Sequence, residues 1–139
     1  MNKSLNNLLC FNLYLCSKEI VRKYEPFLKK YKLTYTQLIV IFTLAEHKKV
    51  NIKGLGDYLY LDSGTLTPLL KKLESRQLIN RMKKPDDDRQ VLISLTEEGL
   101  NLYQELSDIP KQVGDCLNLE NVDEIQLNQI LQSVLKQIK

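Results

Sequence analysis

The stretch from Asn51 to Thr96 constrains this chain most, because its apolar pattern switches from helical to alternating spacing within one short span. A short helix is predicted over Ile52–Tyr60, with Leu55 and Leu59 one turn apart. Asp62 and Ser63 follow, and their side-chain oxygens can accept from the free N–H groups that open a new helix. That second helix reads DSGTLTPLLKKLESRQ, with Leu66, Leu69, Leu70 and Leu73 falling on a single stripe. Lys71, Lys72 and Ser75 point the other way, and Thr65, Thr67 and Arg76 flank the stripe. Leu78–Met82 and Val91–Leu95 then bracket a reversal at Pro85–Arg89 that is rich in turn formers, which predicts a β-hairpin. A leucine stripe alone would mean only a buried helix. With a hairpin behind it and a Thr/Ser/Lys front, the pattern predicts a winged helix-turn-helix whose second helix fits the DNA major groove.

The charge distribution agrees. The net charge is only +3, but Lys71–Arg89 holds seven basic residues (Lys71, Lys72, Arg76, Arg81, Lys83, Lys84, Arg89) against four acids. Residues 96–128 hold eight acids and one base, Lys111. The basic segment thus coincides with the elements that would meet phosphates. The three cysteines (Cys10, Cys16, Cys116) are odd in number and the chain is long enough for an ordinary core, so a disulfide framework is not expected. No CxxC pair and a single histidine, His47, argue against a structural zinc site, and no cofactor is expected. His47 reads as a loop residue, and Asp86–Asp88 as a solvated turn. The apolar run Leu8–Cys16 is short and broken by Asn12, so neither a signal peptide nor a membrane span is expected and the cytoplasm is the expected location.

The rest of the chain reads as helices. A first helix from about Ser4 to Tyr31 carries one stripe at Leu9, Leu13, Cys16, Ile20 and Phe27 and another at Cys10, Tyr14, Ser17, Val21 and Tyr24. A helix apolar over most of its girth has more than one surface to bury. Pro26 is expected to kink or shift its end. Thr34 and Gln37 form a capping box for an apolar helix running to about His47, read as the buried centre. Thr96 caps a further helix that Pro110 should kink or split. The last helix, about Val122 to Ile138, is amphipathic. The expected fold is mainly α (α+β). Residues 1–139 form a single domain in which 33–96 make the winged helix and 1–32 with 97–139 make dimerisation helices, because these carry more apolar surface than one small winged helix covers.

On these motifs the chain resembles the MarR family of dimeric winged-helix transcription regulators over essentially its whole length. The residues that carry the resemblance are LDSGTLTPLLKKLE (Leu61–Glu74) and DDRQVLISLTEEG (Asp87–Gly99), the latter with the D-x-R…LT-x-x-G signature. LCFNLY (Leu9–Tyr14) and LTYTQ (Leu33–Gln37) are similar to the OhrR-like branch, which senses organic peroxides and oxidative stress through one N-terminal cysteine. The resemblance implies that Ser63, Thr65, Thr67, Lys71 and Lys72 face the major groove of a pseudo-palindromic operator in duplex DNA. It also implies that Arg89 at the wing tip enters the minor groove, held by Asp87. An arginine suits the negative potential of a narrow minor groove, and a neighbouring carboxylate can orient its guanidinium. By the same resemblance Cys10 is the sensing thiol and Tyr24 and Tyr35 hydrogen-bond it.

Helix geometry adds a constraint. At 1.5 Å per residue, Cys10 and Tyr24 lie roughly 20 Å apart on a straight helix, so they can meet only if Tyr24 comes from a second subunit. Cys10 as thiolate would attack an organic hydroperoxide and become a sulfenic acid, which condenses with a small thiol or with Cys116 of the opposite subunit. Cys16 reads as a core residue packed like Leu13 and Ile20. The expected function is a homodimeric DNA-binding regulator, not an enzyme, whose operator binding is switched off by oxidation of Cys10. Three rival readings stand beside it. They are a regulator released by a phenolic or drug-like ligand with Cys10 incidental, a peroxide-consuming thiol enzyme, and a winged helix used only for protein contacts.

Overall fold

The computed structural model describes residues 4–139, the side chain of Asp88 excepted. The first three residues of the expected segment 1–32 lie outside the described residues. The elements run α1 (Leu9–Leu28), α2 (Tyr35–His47), β1 (Val50–Asn51), α3 (Ile52–Leu59), α4 (Ser63–Ser75), β2 (Ile79–Lys84), β3 (Asp87–Leu95), α5 (Glu97–Leu106), α6 (Ile109–Leu117) and α7 (Glu124–Ile138). The fold is mainly helical, with one antiparallel sheet in the order β1-β3-β2. It is a winged helix-turn-helix set between long flanking helices.

Local chemistry sets most boundaries. The Thr34 hydroxyl accepts from the Gln37 N–H at 3.2 Å, and the Gln37 side chain accepts from the Thr34 N–H at 3.0 Å, so α2 starts on a complete capping box. Asp62 alone caps α4, accepting from the Thr65 N–H at 2.7 Å. The α3–α4 turn is tight. Tyr60 is left-handed (φ 56°), and a Cβ built on Gly56 would stand 2.6 Å from the Leu61 carbonyl oxygen, so no larger residue fits there. Pro68 sits within α4, which continues past it. Pro110 falls in the first turn of α6, and the expected break appears as two separate helices, α5 and α6.

The first helix differs from expectation at both ends. The α-helical part is Leu9–Leu28, with 3-10 turns at Leu5–Asn7 and Lys29–Tyr31 and a left-handed Lys32 (φ 53°) ending it. The wing reversal is also shorter than Pro85–Arg89. β3 begins at Asp87, and the register passes from Lys83↔Val91 to Lys84↔Asp87, leaving Asp88, Arg89 and Gln90 as a bulge on β3. Arg89 therefore lies in this bulge, just past the Pro85–Asp86 turn, and is exposed.

The core lies where α2 was expected to centre it. Leu38, Val40, Ile41 and Leu44 of α2 pack with Leu55, the four leucines of α4, Ile79 and Ile93. Leu106, Ile109 and Val113 extend this core toward α1, which packs on α6 and α2 through its C-terminal half. The N-terminal half does not join it. Leu9, Leu13, Tyr14, Cys16 and Ile20 are exposed, so Cys16 is not a core residue of the chain as expected. The α7 helix buries no residue at all, and Ile125 and Ile138 are 75% and 74% exposed. The reason is topological. The core closes around α2 and α4, and the N-terminal half of α1 and all of α7 project past it with apolar faces left exposed among the described residues. Among the described residues, no helix is long and apolar enough to cross a membrane.

Candidate nucleic-acid interface and thiol site

The leucine stripe of α4 determines what its front can do. Leu66, Leu69, Leu70 and Leu73 are buried, which leaves Ser63, Thr65, Lys71 and Lys72 exposed and Thr67 half-buried on the flank. The cap that starts α4 is itself charged. Hydrogen bonds from the backbone of Thr65 hold the Asp62 carboxyl below the usual carboxylate range, so it remains an anion at the positive end of the helix dipole.

Two of the seven basic residues in this region are engaged inside the protein. The Arg76 guanidinium donates to the carbonyls of Tyr31 at 2.8 Å and Lys32 at 3.1 Å, tying the C-terminus of α4 to the corner between α1 and α2. Arg81 pairs with Glu74 through Nε, an ion pair by proximity whose geometry leaves both Nε and Nη2 buried without a hydrogen bond. Lys71, Lys72, Lys83 and Arg89 remain exposed, with Lys84 half-buried. Sequence reading could not separate these groups, because the Arg76 contacts span more than forty residues of chain.

The expected grip of Asp87 on Arg89 takes another form. The Asp87 carboxylate accepts from the Arg89 backbone N–H at 3.0 Å and does not clamp its guanidinium. A short acidic side chain two residues before an N–H closes a local turn more easily than it reaches the end of an arginine. Asp87 thus shapes the bulge from which Arg89 extends.

The LT-x-x-G signature is explained by packing. The Thr96 N–H donates to the Leu78 carbonyl at 3.0 Å, its hydroxyl donates to the Gln77 carbonyl at 2.6 Å, and that hydroxyl accepts from the Gly99 N–H at 3.0 Å. The first turn of α5 therefore lies directly on the α4–β2 junction. Gly99 is required there, since a Cβ would meet the Leu78 carbonyl oxygen at 2.1 Å.

All three thiols are free and exposed. Cys10 stands in the first turn of α1 and Tyr24 fourteen residues further along the same continuous helix, about 21 Å away by helical rise. The structure brings Tyr24 to Tyr35 instead, with ring centroids 4.8 Å apart, edge to face. Burial raises the pKa of both phenols, and for Tyr24 the charge that Tyr35 would carry adds to it, so both hydroxyls persist as donors. Beside them opens a groove lined by Val21, Glu25, Leu28, Leu33 and Tyr35. Cys116 lies in the last turn of α6. Among the described residues, no three His, Cys, Asp or Glu side chains converge as a metal site would require.

Comparison with known proteins places this geometry. The family model of the SarA/Rot transcriptional regulators matches residues 22–106. Over 131 residues the chain is 44% identical to the HTH-type transcriptional regulator SarZ of Staphylococcus haemolyticus, covering 94% of this chain and 89% of SarZ. It is 42% identical over 132 residues to the organic hydroperoxide resistance transcriptional regulator of Bacillus subtilis, covering 95% of this chain and 90% of that protein. The solved structure of reduced AbfR bound to DNA aligns with a TM-score of 0.75 at 34% identity, over 96% of this chain and 95% of the other.

Proposed function

The chain belongs to the SarA/Rot family of transcriptional regulators, and from that premise we propose that it is a cytoplasmic homodimer that holds duplex DNA while Cys10 is reduced and lets go when Cys10 is oxidised. The observation that carries the proposal is the separation within one chain of an exposed thiol from the paired phenols that would serve it. Cys10 and the Tyr24–Tyr35 pair belong to opposite ends of α1. An antiparallel meeting of two α1 helices joins each thiol to the other subunit's phenols. It also covers the apolar surface left open by Leu9, Leu13, Tyr14 and Ile20, and α7 completes the seam. The similarity to a regulator named for organic hydroperoxide resistance supports the choice of oxidant.

The chemistry follows from the groups present. The Cys10 thiolate attacks the terminal peroxide oxygen, an S–O bond forms, the O–O bond breaks, and the alkoxide leaves as an alcohol after protonation. The thiol becomes a sulfenic acid as the hydroperoxide is reduced. Condensation with a small thiol, or with Cys116 of the second copy, gives a disulfide and water. The protein is consumed once per event and acts as a sensor, not as an enzyme. Ser63, Thr65, Thr67, Lys71 and Lys72 read the major groove, and Arg89, aimed by the Asp87 turn, enters the minor groove. The two reading helices must stand about 34 Å apart to enter successive turns of DNA, so a new bond at the seam that rotates the subunits ends binding.

The test is a mobility-shift titration, with and without cumene hydroperoxide, beside a non-reducing gel. The wild type should release DNA on oxidation and Cys10→Ser should stay bound. Release of the Cys10→Ser variant by the same oxidant would overturn the proposal. A crosslinked dimer that survives Cys116→Ser would remove Cys116 as the second thiol.

A further inference from the structure

We propose that Lys53 is a phosphate-contact residue that sets the register between the reading helix and the wing on duplex DNA. The proposal rests on the DNA-binding reading above and adds to it a contact outside the basic segment Lys71–Arg89.

The placement of Lys53 is rigid. The two-residue strand β1 pairs with the wing strand β3, Val50 opposite Ile93 and Asn51 opposite Leu92. Asn51 then caps α3, its side-chain oxygen accepting from the Gly54 N–H at 2.6 Å. Lys53 thus stands two positions after Asn51, a residue stitched to β3, and Arg89 precedes that residue's partner, Leu92, by three. A groove of about 290 Å³ runs between them, lined among the described side chains by Asn51, Ile52, Lys53, Arg89, Gln90 and Val91, two of them cations. On its other side Lys53 borders a second groove of about 370 Å³, which reaches Ser63 at the start of α4. Asp57 is the acid lining that second groove, one helical turn beyond Lys53, and no ion pair joins the two. Lys53 is exposed on the ridge that separates Ser63 from Arg89.

On duplex DNA that ridge has one counterpart. A helix in the major groove and an arginine in the adjacent minor groove straddle a single sugar–phosphate strand. A cation between them meets phosphate, which positions the protein without reading sequence. Lysine suits the task, being a compact charge on a flexible stem that needs no bidentate geometry. Nothing in the sequence pointed to Lys53, because the β1–β3 pairing that fixes it is two residues long and has no periodicity to read.

The experiment uses the full chain and two duplexes, one enriched from a random pool by the wild type and one of mixed sequence. Affinity is measured from about 50 to 200 mM KCl for wild type, Lys53→Gln, Lys53→Arg and the distant control Lys111→Gln, with thermal melts to show that each folds. Loss of one phosphate contact lowers the slope of log affinity against log salt by about 0.9 per copy. For a dimer losing two contacts, the ratio of wild-type to Lys53→Gln affinity should shrink about tenfold across that range, equally on both duplexes. Lys53→Arg should restore the slope, and Lys111→Gln should leave it unchanged. An unchanged slope for folded Lys53→Gln, or a loss confined to the enriched duplex, overturns the proposal and leaves DNA binding standing. No salt-dependent binding by the wild type on either duplex would sink the DNA-binding reading itself.

Discussion

Replacing Gly99 by alanine should unfasten the DNA-reading unit from the helices behind it. The added Cβ would lie 2.1 Å from the Leu78 carbonyl oxygen and 3.2 Å from Leu95 Cδ2. The oxygen belongs to backbone that also accepts from the Thr96 N–H, so it cannot rotate away as a side chain would. Relief requires α5 to lift by about an ångström. That weakens the Thr96 bonds to Leu78 and Gln77, each worth about 1 kcal/mol, and adds overpacking strain of about 1–3 kcal/mol. Alanine's better helix propensity returns at most about 1 kcal/mol. The net loss is about 2–4 kcal/mol, or roughly 8–15 °C in midpoint for a chain of this size. Gly114→Ala is the internal control, because a Cβ there meets nothing within 4 Å and should be neutral or slightly stabilising. Circular dichroism melts at one fixed protein concentration measure both, since the proposed dimer would make the midpoint depend on concentration. A Gly99→Ala variant as stable as Gly114→Ala would refute the packing argument for the LT-x-x-G signature.

Further expectations concern charge. Asp62→Ala should lower thermal stability and DNA affinity by fraying the first turn of α4. Because its folded pKa is depressed, the Asp62 contribution is complete above the unfolded carboxylate value of about 4 and disappears as pH falls through the lower folded value. Acid-unfolding curves of wild type and Asp62→Asn should therefore converge below that range, and curves that stay parallel would contradict the assignment. Arg76→Ala should cost about 1 kcal/mol of stability in urea titrations yet leave the salt slope of DNA binding intact, because its guanidinium is bonded to the Tyr31 and Lys32 carbonyls. Lys72→Ala should do the opposite.

Signals confined to one turn of chain were legible in advance. Thr34 with Gln37, Asp62, Thr96 and Pro110 each act on backbone within four residues, and each marks a boundary in the fold. The leucine stripe of α4 faced the core as its spacing required. What was misread depends on contacts distant in sequence or on competition between nearby donors. Asp87 had two candidate partners in Arg89, and the nearer N–H won over the distant guanidinium. Arg76 looked like one more surface cation until the α1–α2 corner was folded against it. Cys16 shares the apolar spacing of Leu13 and Ile20, but periodicity says only that a face is apolar, not whether its cover comes from the same chain.

The central claim is that each Cys10 is served by phenols of the other subunit, and subunit mixing tests it most directly. Homodimers of Cys10→Ser and of Tyr24→Phe should both respond poorly to cumene hydroperoxide, the first for want of a thiol and the second for want of a donor. A purified heterodimer of the two holds one intact Cys10 and one intact Tyr24, on different chains. Stopped-flow oxidation of that heterodimer should proceed at the wild-type rate with half the wild-type amplitude. A heterodimer no faster than the Tyr24→Phe homodimer would mean that the thiol and the phenol do not meet across the interface.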